Sequence, residues 1–532
     1  MVQINLKMAL YLSKSIKIPL GKTGESTQML CRLVGLNEKQ IRNVVLYKQS
    51  VDARDKSNVH FVCSFLFECD KPFVRNATPF ALPVDALQNV PKTTCKQNVV
   101  VVGSGPSGLF AALYLCLAGH DVTVVEKGMD IDGRKKAVQE FFDGGKFDKN
   151  TNVQFGLGGA GTFSDGKLTT GISSPLTRSV FCEFVRNGAP QDIMYSALPH
   201  IGTDKLSVVV ANMRDKIIRT GGKFLFETSV TDFVIQNGVC KGVIAERNGD
   251  TIRLVADKTL LCCGHSARDI FAKLVERGVE TKFKPFAVGV RVEHKRSFID
   301  KNQYGLFATH RDLSAASYKL AHNGTKRSCY SFCMCPGGVV VAANSEPDSV
   351  VVNGMSKYAR DDQNSNSALV VTVNADDMEA WGYGTDSLCG MRFQIDLERK
   401  AYALGGGDYV APCQSVADFA GTQPLQNDEV VASYPRGVKS VNLRELLPAE
   451  ICDEILDGLT DFDRKIDGFA RCGVITGVET RTSSPVKICR NDSFESSLFG
   501  LFPVGEGAGY AGGIVSAAVD GLRVAISLCK AD

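Results

Sequence analysis

"NVVVVGSGPSGLFAALYLCLAGHDVTVVEKG", running from Asn98 to Gly128, decides how the rest of the chain is read. Val99 to Val102 form an unbroken β-branched run, as expected of a parallel strand covered on both faces. Gly103, Gly105 and Gly108 come next as G-x-G-x-x-G, and from Pro106 to Gly119 the pattern is helical and closes on a glycine. "DVTVVE" is the next strand, with Glu126 at its tip. A lone glycine motif is weak, but here strand, helix, second strand and terminal acid are all in place. Gly103 permits the tight turn, Gly105 lets backbone approach a pyrophosphate, and Gly108 lets the helix lie on the sheet. The helix start offers unpaired N–H groups and a positive dipole end to phosphate. Glu126 is placed to accept from both ribose hydroxyls of an adenosine, and its charge disfavours a 2′-phosphate. The segment is therefore read as a dinucleotide-binding unit.

Two later stretches narrow the dinucleotide. "NVQFGLGGAGTFSDGKL", Asn152 to Leu168, lacks helical or strand periodicity and is built for close backbone approach to something flat or anionic. Further on, "GGKFLFETSVTDFVIQNGVCKGVIAERNGDTIRLVADKTLLCCGHSARD" reads as a strand, a three-stranded meander and a strand ending at Gly264. That order fits flavoproteins whose first βαβ unit holds the ADP half of FAD. Near the other end, "GLFPVGEGAGYAGGIVSAAVDG" packs seven glycines into Gly500–Gly521, although glycine costs roughly 0.5–1 kcal/mol in regular structure. It reads as an apolar run, a bare turn and a helix starting near Gly513. A second helix start of this kind can cover the ribityl chain and flavin ring and stabilise negative charge on the reduced ring. Glu506 would then hydrogen-bond the ribityl hydroxyls or the pyrophosphate side.

Bulk properties agree with a globular protein. A chain of 532 residues suggests two or three domains, and 44% hydrophobic with 22% charged residues is ordinary. No apolar run reaches the roughly 18–20 residues of a membrane span. "MVQINLKMALYLSKSIKIPLGK" lacks a secretory core and cleavage site, and the absence of Arg argues against a transit peptide. The expected location is cytoplasmic, and 18 scattered cysteines fit reduced thiols better than a disulfide framework. Residues 1–96 carry twice as many Lys and Arg as Asp and Glu, so this basic front could dock nucleic acid or an acidic protein, or simply be a solvated face. In this front, "LNEKQIRNVVLYKQSVDARD" has helix-like spacing and "VHFVCSFLFEC" reads as a strand. "RNATPFALPVDALQNVPKTTCKQ" is a linker by composition.

The expected class is α/β: a Rossmann-like FAD-binding domain with an inserted α+β substrate domain and a small N-terminal α+β module. The boundaries are 1–95 for the module and linker, 96–283 and 480–532 for the two parts of the FAD-binding domain, and 284–479 for the substrate domain.

The longer segments resemble a bacterial-type family of uncharacterised FAD-dependent dehydrogenases within the glutathione-reductase-like flavoprotein class. The carrying segments are "GSGPSGLFAA", "NVQFGLGGAGTFSDGKLTT", "CGHSARD", "SFCMCPGGVVVAANSE", "NGMSKYARDDQNSNSALVV", "GVETRTSSPVKI" and "LFPVGEGAGYAGGIVSAAVDG". They span roughly residues 98–525, and "SVDARDK" in the front module fits the same family. The resemblance implies FAD and a redox reaction. It puts Gly103, Ser104, Gly105, Pro106, Ser107, Gly108, Glu126 and Lys127 on the ADP half, with the backbone of Val230 against adenine. It sets Gly158, Gly159, Ala160, Gly161 and Thr162 near the pyrophosphate and ring, beside Ser164, Asp165 and Lys167. Gly264, Gly505, Glu506, Gly507, Gly512, Gly513 and Ile514 complete the expected contacts. Glu506 stands where the wider class often carries Asp.

Catalytic candidates each have a plainer alternative. Cys333 and Cys335, in C-x-C, could shuttle electrons if one thiolate is stabilised by a cation, ligate a metal with Cys329, or line a pocket. Arg481, in "GVETRTSSP" with Glu479 and Thr482, could clamp a substrate carboxylate, stabilise reduced flavin, or sit in a structural ion pair. Lys167 could reach flavin N5 or a phosphate. His265 could act as acid or base, or cap the following helix. "ALGGGDYVAPCQ" could be a loop over the substrate opening. His294 and His322 have no supporting constellation, and the seven His show no paired spacing, so no metal site is expected.

With one dinucleotide fingerprint, NAD(P)H as electron donor would have to visit the pocket. No strong general base stands out, which favours hydride transfer to or from a small organic substrate over base-led oxidation. The rival reading is a flavoprotein that acts on or docks to nucleic acid or a protein through its basic front.

Overall fold

Five parallel strands form the sheet that carries the glycine motif, in the order Leu501–Pro503, Lys258–Leu261, Asn98–Val102, Asp121–Val125, Lys223–Leu225. The computed structural model describes residues 8–425 and 429–530. The valine run feeds two cores at once: Val99 and Val101 join one, Val100 and Val102 the other. A strand with both faces covered has no use for polar alternation, which is why its sequence is uniform. Helix Pro106–Ala118 begins with Pro at its first turn and ends at Gly119 in the left-handed region. It is apolar nearly all round because it is sandwiched against the sheet on one side and against helices Thr203–Arg219 and Ile514–Lys530 on others. Thr228–Gln236, Val239–Arg247 and Asp250–Val255 form the three-stranded antiparallel meander.

The inserted region is built on a seven-stranded sheet in the order Ala321–Asn323, Ser328–Cys335, Asn364–Val373, Phe286–Lys295, Val474–Glu479, Ala411–Ser415, Val438–Ser440. Its central strand Phe286–Lys295 shows what alternation achieves. Val288, Val290 and Val292 enter the large core beneath helices Cys389–Gly405 and Ala449–Lys465. Between them, on the other face, Arg291 and Glu293 are wholly buried. Charged groups so placed must be partnered, and that polar face backs the cavity between the two sheets.

Ahead of both lies a five-stranded sheet with helix Ser26–Val34 on one face. Here the helical reading of Leu36–Asp55 is corrected. Only a single 3-10 turn, Glu38–Gln40, follows the Asn37 cap, and Arg42–Asp52 is a strand paired antiparallel with His60–Cys69. "NVVLY" is β-branched and aromatic, and the neighbouring strand supplies hydrogen-bond partners that outweigh helical spacing. Part of the expected linker also pairs, since Ala77–Pro79 adds an edge strand to Tyr11–Ser13. "ALGGGDYVAPCQ" is no loop over an opening: Gly405 ends a helix, Gly406 caps it, and Ala411–Ser415 enters the large sheet. Among the described residues, no helix is long and apolar enough to cross a membrane.

Candidate functional site

A cavity of about 360 Å³ runs between the parallel sheet and the large sheet, and three separate glycine segments wall it. The first wall is the nucleotide turn. Gly103 has φ +102, and a Cβ there would lie 2.4 Å from the carbonyl oxygen of Cys262, so only glycine makes this turn. Gly105, Pro106 and Ser107 open onto the cavity, and Gly108 stands behind them against Gly103. The first N–H groups of the helix have no intrahelical acceptor, so this wall offers donors and a positive dipole end.

Glu126 lines the cavity, but its carboxylate is already occupied. One oxygen accepts from Ser104 N–H at 2.9 Å and Ser104 Oγ at 2.6 Å; the other accepts from Gly128 N–H at 3.0 Å and Gly156 N–H at 2.9 Å. Both oxygens thus tie the nucleotide turn to the second glycine loop, on the wall where the sequence places an acceptor for ribose hydroxyls. Lys127 spans Phe155 and Asp269 at the same end, with Val230 and Gly264 on the wall.

The second wall is Asn152–Leu168. Its shape is set by Arg134, fully buried, whose guanidinium donates to the carbonyls of Asn152, Val153, Gly156 and Leu157. Burial pushes this guanidinium down to about 9, with Glu126 opposing. No sequence signal marked Arg134, which sits in helix Ile131–Phe142. Gly159, Ala160, Gly161 and Ser164 line the cavity; Gly158 and Thr162 lie behind. Asp165 also reaches it, but its carboxylate is held by Arg360 at 2.5 and 3.0 Å and by Ser356. Burial raises this carboxyl, and Arg360 and Lys167 outweigh it, holding it below the ordinary aspartate range. Lys167 donates to the carbonyl of Met334, stitching this loop to the large sheet.

The third wall comes from the C-terminus. Gly512, Gly513 and Ile514 face the cavity at the start of helix Ile514–Lys530, with Glu506 on the turn before it. Gly505 and Gly507 stand behind, packed on Ser107 and Gly264. A Cβ on Gly512 or Gly513 would meet nothing within 4 Å. Packing demands neither, although Gly513 at φ +144 needs glycine for its backbone; at Gly512 the missing side chain leaves room inside the cavity. Burial lifts the Glu506 carboxyl to about 7, with Lys284 opposing, and no hydrogen bond reaches it among the described residues.

For the catalytic candidates in the inserted region and beside it, the structure shows plainer roles. Arg481 lines the cavity, but its Nε and Nη2 form a bidentate pair with Glu398 at 3.1 and 2.8 Å, and Nη1 donates to Ser266 and Ser345. The face that would clamp a substrate carboxylate is taken. Arg268 binds the same Glu398 at 2.7 and 2.8 Å. His265, on the wall, is pushed down to about 3 by burial, then by Arg481 and Arg268, so it is neutral near pH 7; the next helix is capped at Ala267 without a side-chain bond. Cys333 lines the cavity at φ +47, inside a bulge of strand Ser328–Cys335. Cys335 does not: it is buried, its thiol donates to the Cys333 carbonyl at 3.2 Å, and burial pushes it up to about 12. Cys335 is thus the opposite of the stabilised thiolate that a dithiol relay needs. All 18 cysteines are free thiols, and no group of three or more metal-ligating side chains converges among the described residues. Sequence reasoning missed Phe332 and Asn353, which reach the wall from neighbouring elements of the large sheet region.

Two bare helix starts on one elongated cavity, with space where side chains would stand, fit a dinucleotide whose far end is flat. The family matches point the same way. Residues 285–482 match the family described as FAD-dependent protein, C-terminal domain-like, and residues 101–161 match a NAD(P)-binding Rossmann-like domain. An uncharacterized protein of Clostridium beijerinckii is 42% identical over 508 residues, covering 93% of this chain and 94% of its own. Among solved structures, the flavin-dependent brominase Bmp2 overlaps 82% of this chain and 79% of its own at 12% identity and a TM-score of 0.37. A geranylgeranyl bacteriochlorophyll reductase-like protein from Thermoplasma acidophilum overlaps 82% and 78% at 12% identity and 0.36. The glycerol-3-phosphate dehydrogenase of Bacillus halodurans, complexed with FAD, overlaps 82% and 65% at 10% identity and 0.35. The chain belongs to the FAD-dependent oxidoreductase family that it shares with the Clostridium beijerinckii protein, and FAD is its cofactor.

Proposed function

We propose that the protein exchanges a hydride between non-covalently held FAD and a small organic substrate, in the manner of the glutathione-reductase-like class. The observation that carries this reading is the joint wall: one cavity is lined by both glycine-stripped helix starts and by Cys333 and Asn353 of the inserted region. In this reading residues 96–283 and 480–532 form one FAD-binding unit and 284–479 the substrate unit. Gly105, Ser107 and the helix start would hold the pyrophosphate, and Gly159–Gly161 with Gly512–Ile514 would flank the ring. When bound, FAD supplies the two-electron chemistry. The chain's own residues hold, orient and exclude water. Arg134 from behind the wall and Glu126 on it freeze the loops, and Lys167 and Asn353 present donors on the substrate side. NAD(P)H, as donor, would enter the same cavity, since the chain has one dinucleotide fingerprint.

The test is anaerobic mixing of the FAD-loaded protein with NADH or NADPH, and then with a panel of small organic acceptors and donors. Bleaching by a nicotinamide or a metabolite, and recovery on adding an acceptor, is the expected result. Fully loaded protein that no such compound bleaches or restores would overturn the proposal.

Glu506 makes a separate prediction. A carboxyl titrating near 7 beside a bound anion is favoured in its neutral form, because the ionised form adds like charge. FAD affinity should therefore fall as pH rises through about 7, by at most about tenfold per pH unit for one proton. Glu506→Gln should flatten that slope. Titrating apoprotein with FAD by fluorescence quenching at several pH values measures both, and equal slopes would remove Glu506 from the account.

A further inference from the structure

Behind the cavity wall, the wholly buried Arg291 is bonded to Glu479 at 2.9 and 3.1 Å, to Asn366 Oδ1 at 2.8 Å and to the Cys333 carbonyl at 3.3 Å. Its remaining contact is Asn353 Oδ1 at 3.2 Å, which also accepts from the N–H of Gly354 at 2.7 Å. A guanidinium and an amide N–H only donate. The oxygen of the Asn353 amide must therefore face inward, since the flipped amide would oppose two donors. Its Nδ2 is left with no acceptor among the described residues, and Asn353 lines the cavity. One residue along the bulge, Lys167 is tied to the carbonyl of Met334, the neighbour of Cys333. Lys167 directly, and Asn353 through Arg291, are thus tied to consecutive carbonyls of one bulge, where Cys333 is held at φ +47. Bulges of this kind recur beside active sites, where they re-aim the chain.

Arg291 pairs with Glu479, while Asp165 is shared between Arg360 and Lys167. His200, packed beside Asp165 and Arg360, is held neutral by burial and by Arg360. Lys167 and Arg360 thus share a single carboxylate, next to a donor with nothing to donate to. From this geometry, and resting on the hydride-transfer reading, we infer that the substrate is a small organic acid whose carboxylate is held by Asn353 Nδ2 and Lys167 Nζ.

The experiment uses the FAD-loaded full chain and probes of matched shape: benzoate and crotonate against benzamide and crotonamide. Binding is read from the perturbation of the visible flavin spectrum, which needs no turnover. The acids should perturb the spectrum and the amides should not. Asn353→Asp keeps the acceptor for Arg291 but replaces the outward donor by an anion, and Asn353→Ala removes both. Each should weaken the acids by roughly ten- to a hundredfold, the worth of a hydrogen bond to a charged group, while FAD per chain stays at the parent value. Lys167→Met should weaken the acids similarly and leave the amides unaffected. Amides binding as well as acids, or Asn353→Asp binding acids like the parent, would overturn the inference. So would loss of FAD from both Asn353 variants, because the donor would then serve the cofactor. Acid perturbation in a protein that nothing bleaches would sink the hydride reading alone, whereas bleaching without any acid effect would sink this inference alone.

Discussion

Glu398→Ala is expected to lower the unfolding free energy of the protein by about 3–5 kcal/mol, the cost of leaving buried charge uncompensated. Glu398 is fully buried in helix Cys389–Gly405 and is the shared counter-charge of Arg268 and Arg481, with Thr480 donating to it at 2.6 Å. Arg268 would retain Glu346 at 2.6 Å. Arg481 would retain only the hydroxyls of Ser266 and Ser345. Because Arg481 and Ser266 line the cavity while Glu398 belongs to the inserted region, the same change should loosen FAD. The pH dependence has a definite sign. Burial alone would raise the Glu398 carboxyl, but Arg268 and Arg481 hold it far below the ordinary glutamate value. A depressed folded-state value contributes stability that is present above the unfolded value and lost as pH falls toward the folded one. Denaturant unfolding below about pH 4.5, the ordinary value, should therefore weaken the parent more than Glu398→Gln, which has no carboxylate to protonate. A Glu398→Ala protein within 1 kcal/mol of the parent, as read by denaturant unfolding, would show that the cluster does not hold the two regions together.

The parts legible in the sequence are those whose cause is local. Val99–Val102, the turn Gly103–Gly108 and the helix to Gly119 lie within about twenty residues, and each demands its residue type from its own backbone geometry. The C-terminal strand, bare turn and helix are legible for the same reason. What stayed hidden depends on partners far along the chain. Strand Arg42–Asp52 has spacing a helix would also accept, and its identity is decided by His60–Cys69. Arg481 invites a role as substrate clamp until Glu398, 83 residues earlier, fills its bidentate face. Asn353 opens one of the family segments, yet nothing in that segment marks it as a cavity residue. Its amide is aimed only because Arg291, 62 residues before it, is buried at the right register of the large sheet. Cys335 looks like half of a redox pair until the bulge turns Cys333 toward the cavity and leaves its neighbour inside.

Gly521→Val should yield folded but largely FAD-free protein, with affinity reduced at least tenfold. Glycine inside a helix ordinarily costs about 1 kcal/mol relative to alanine, so on propensity alone any side chain here would stabilise helix Ile514–Lys530. Position 521 reverses that sign. A Cβ there would lie 2.2 Å from the carbonyl oxygen of Ser107 and 3.1 Å from its Cα. Those atoms are backbone in the first turn of helix Pro106–Ala118, so no rotamer change can relieve the contact. The helices must separate, and overpacking of this kind costs about 1–3 kcal/mol or more. The separation falls where it does most harm, since Ser107 and Ile514 are on the cavity wall at the two helix starts. Each 1.4 kcal/mol lost from binding is about tenfold in affinity. Gly521→Ala should show the same defect in milder form, and Arg523→Ala, two residues on and exposed, should keep FAD at the parent level. FAD content per chain after gel filtration, together with an equilibrium titration, separates the three. If Gly521→Val retained FAD with unchanged affinity, the close approach of the two helices would be incidental, and some other contact would have to hold the two glycine-rich starts in register.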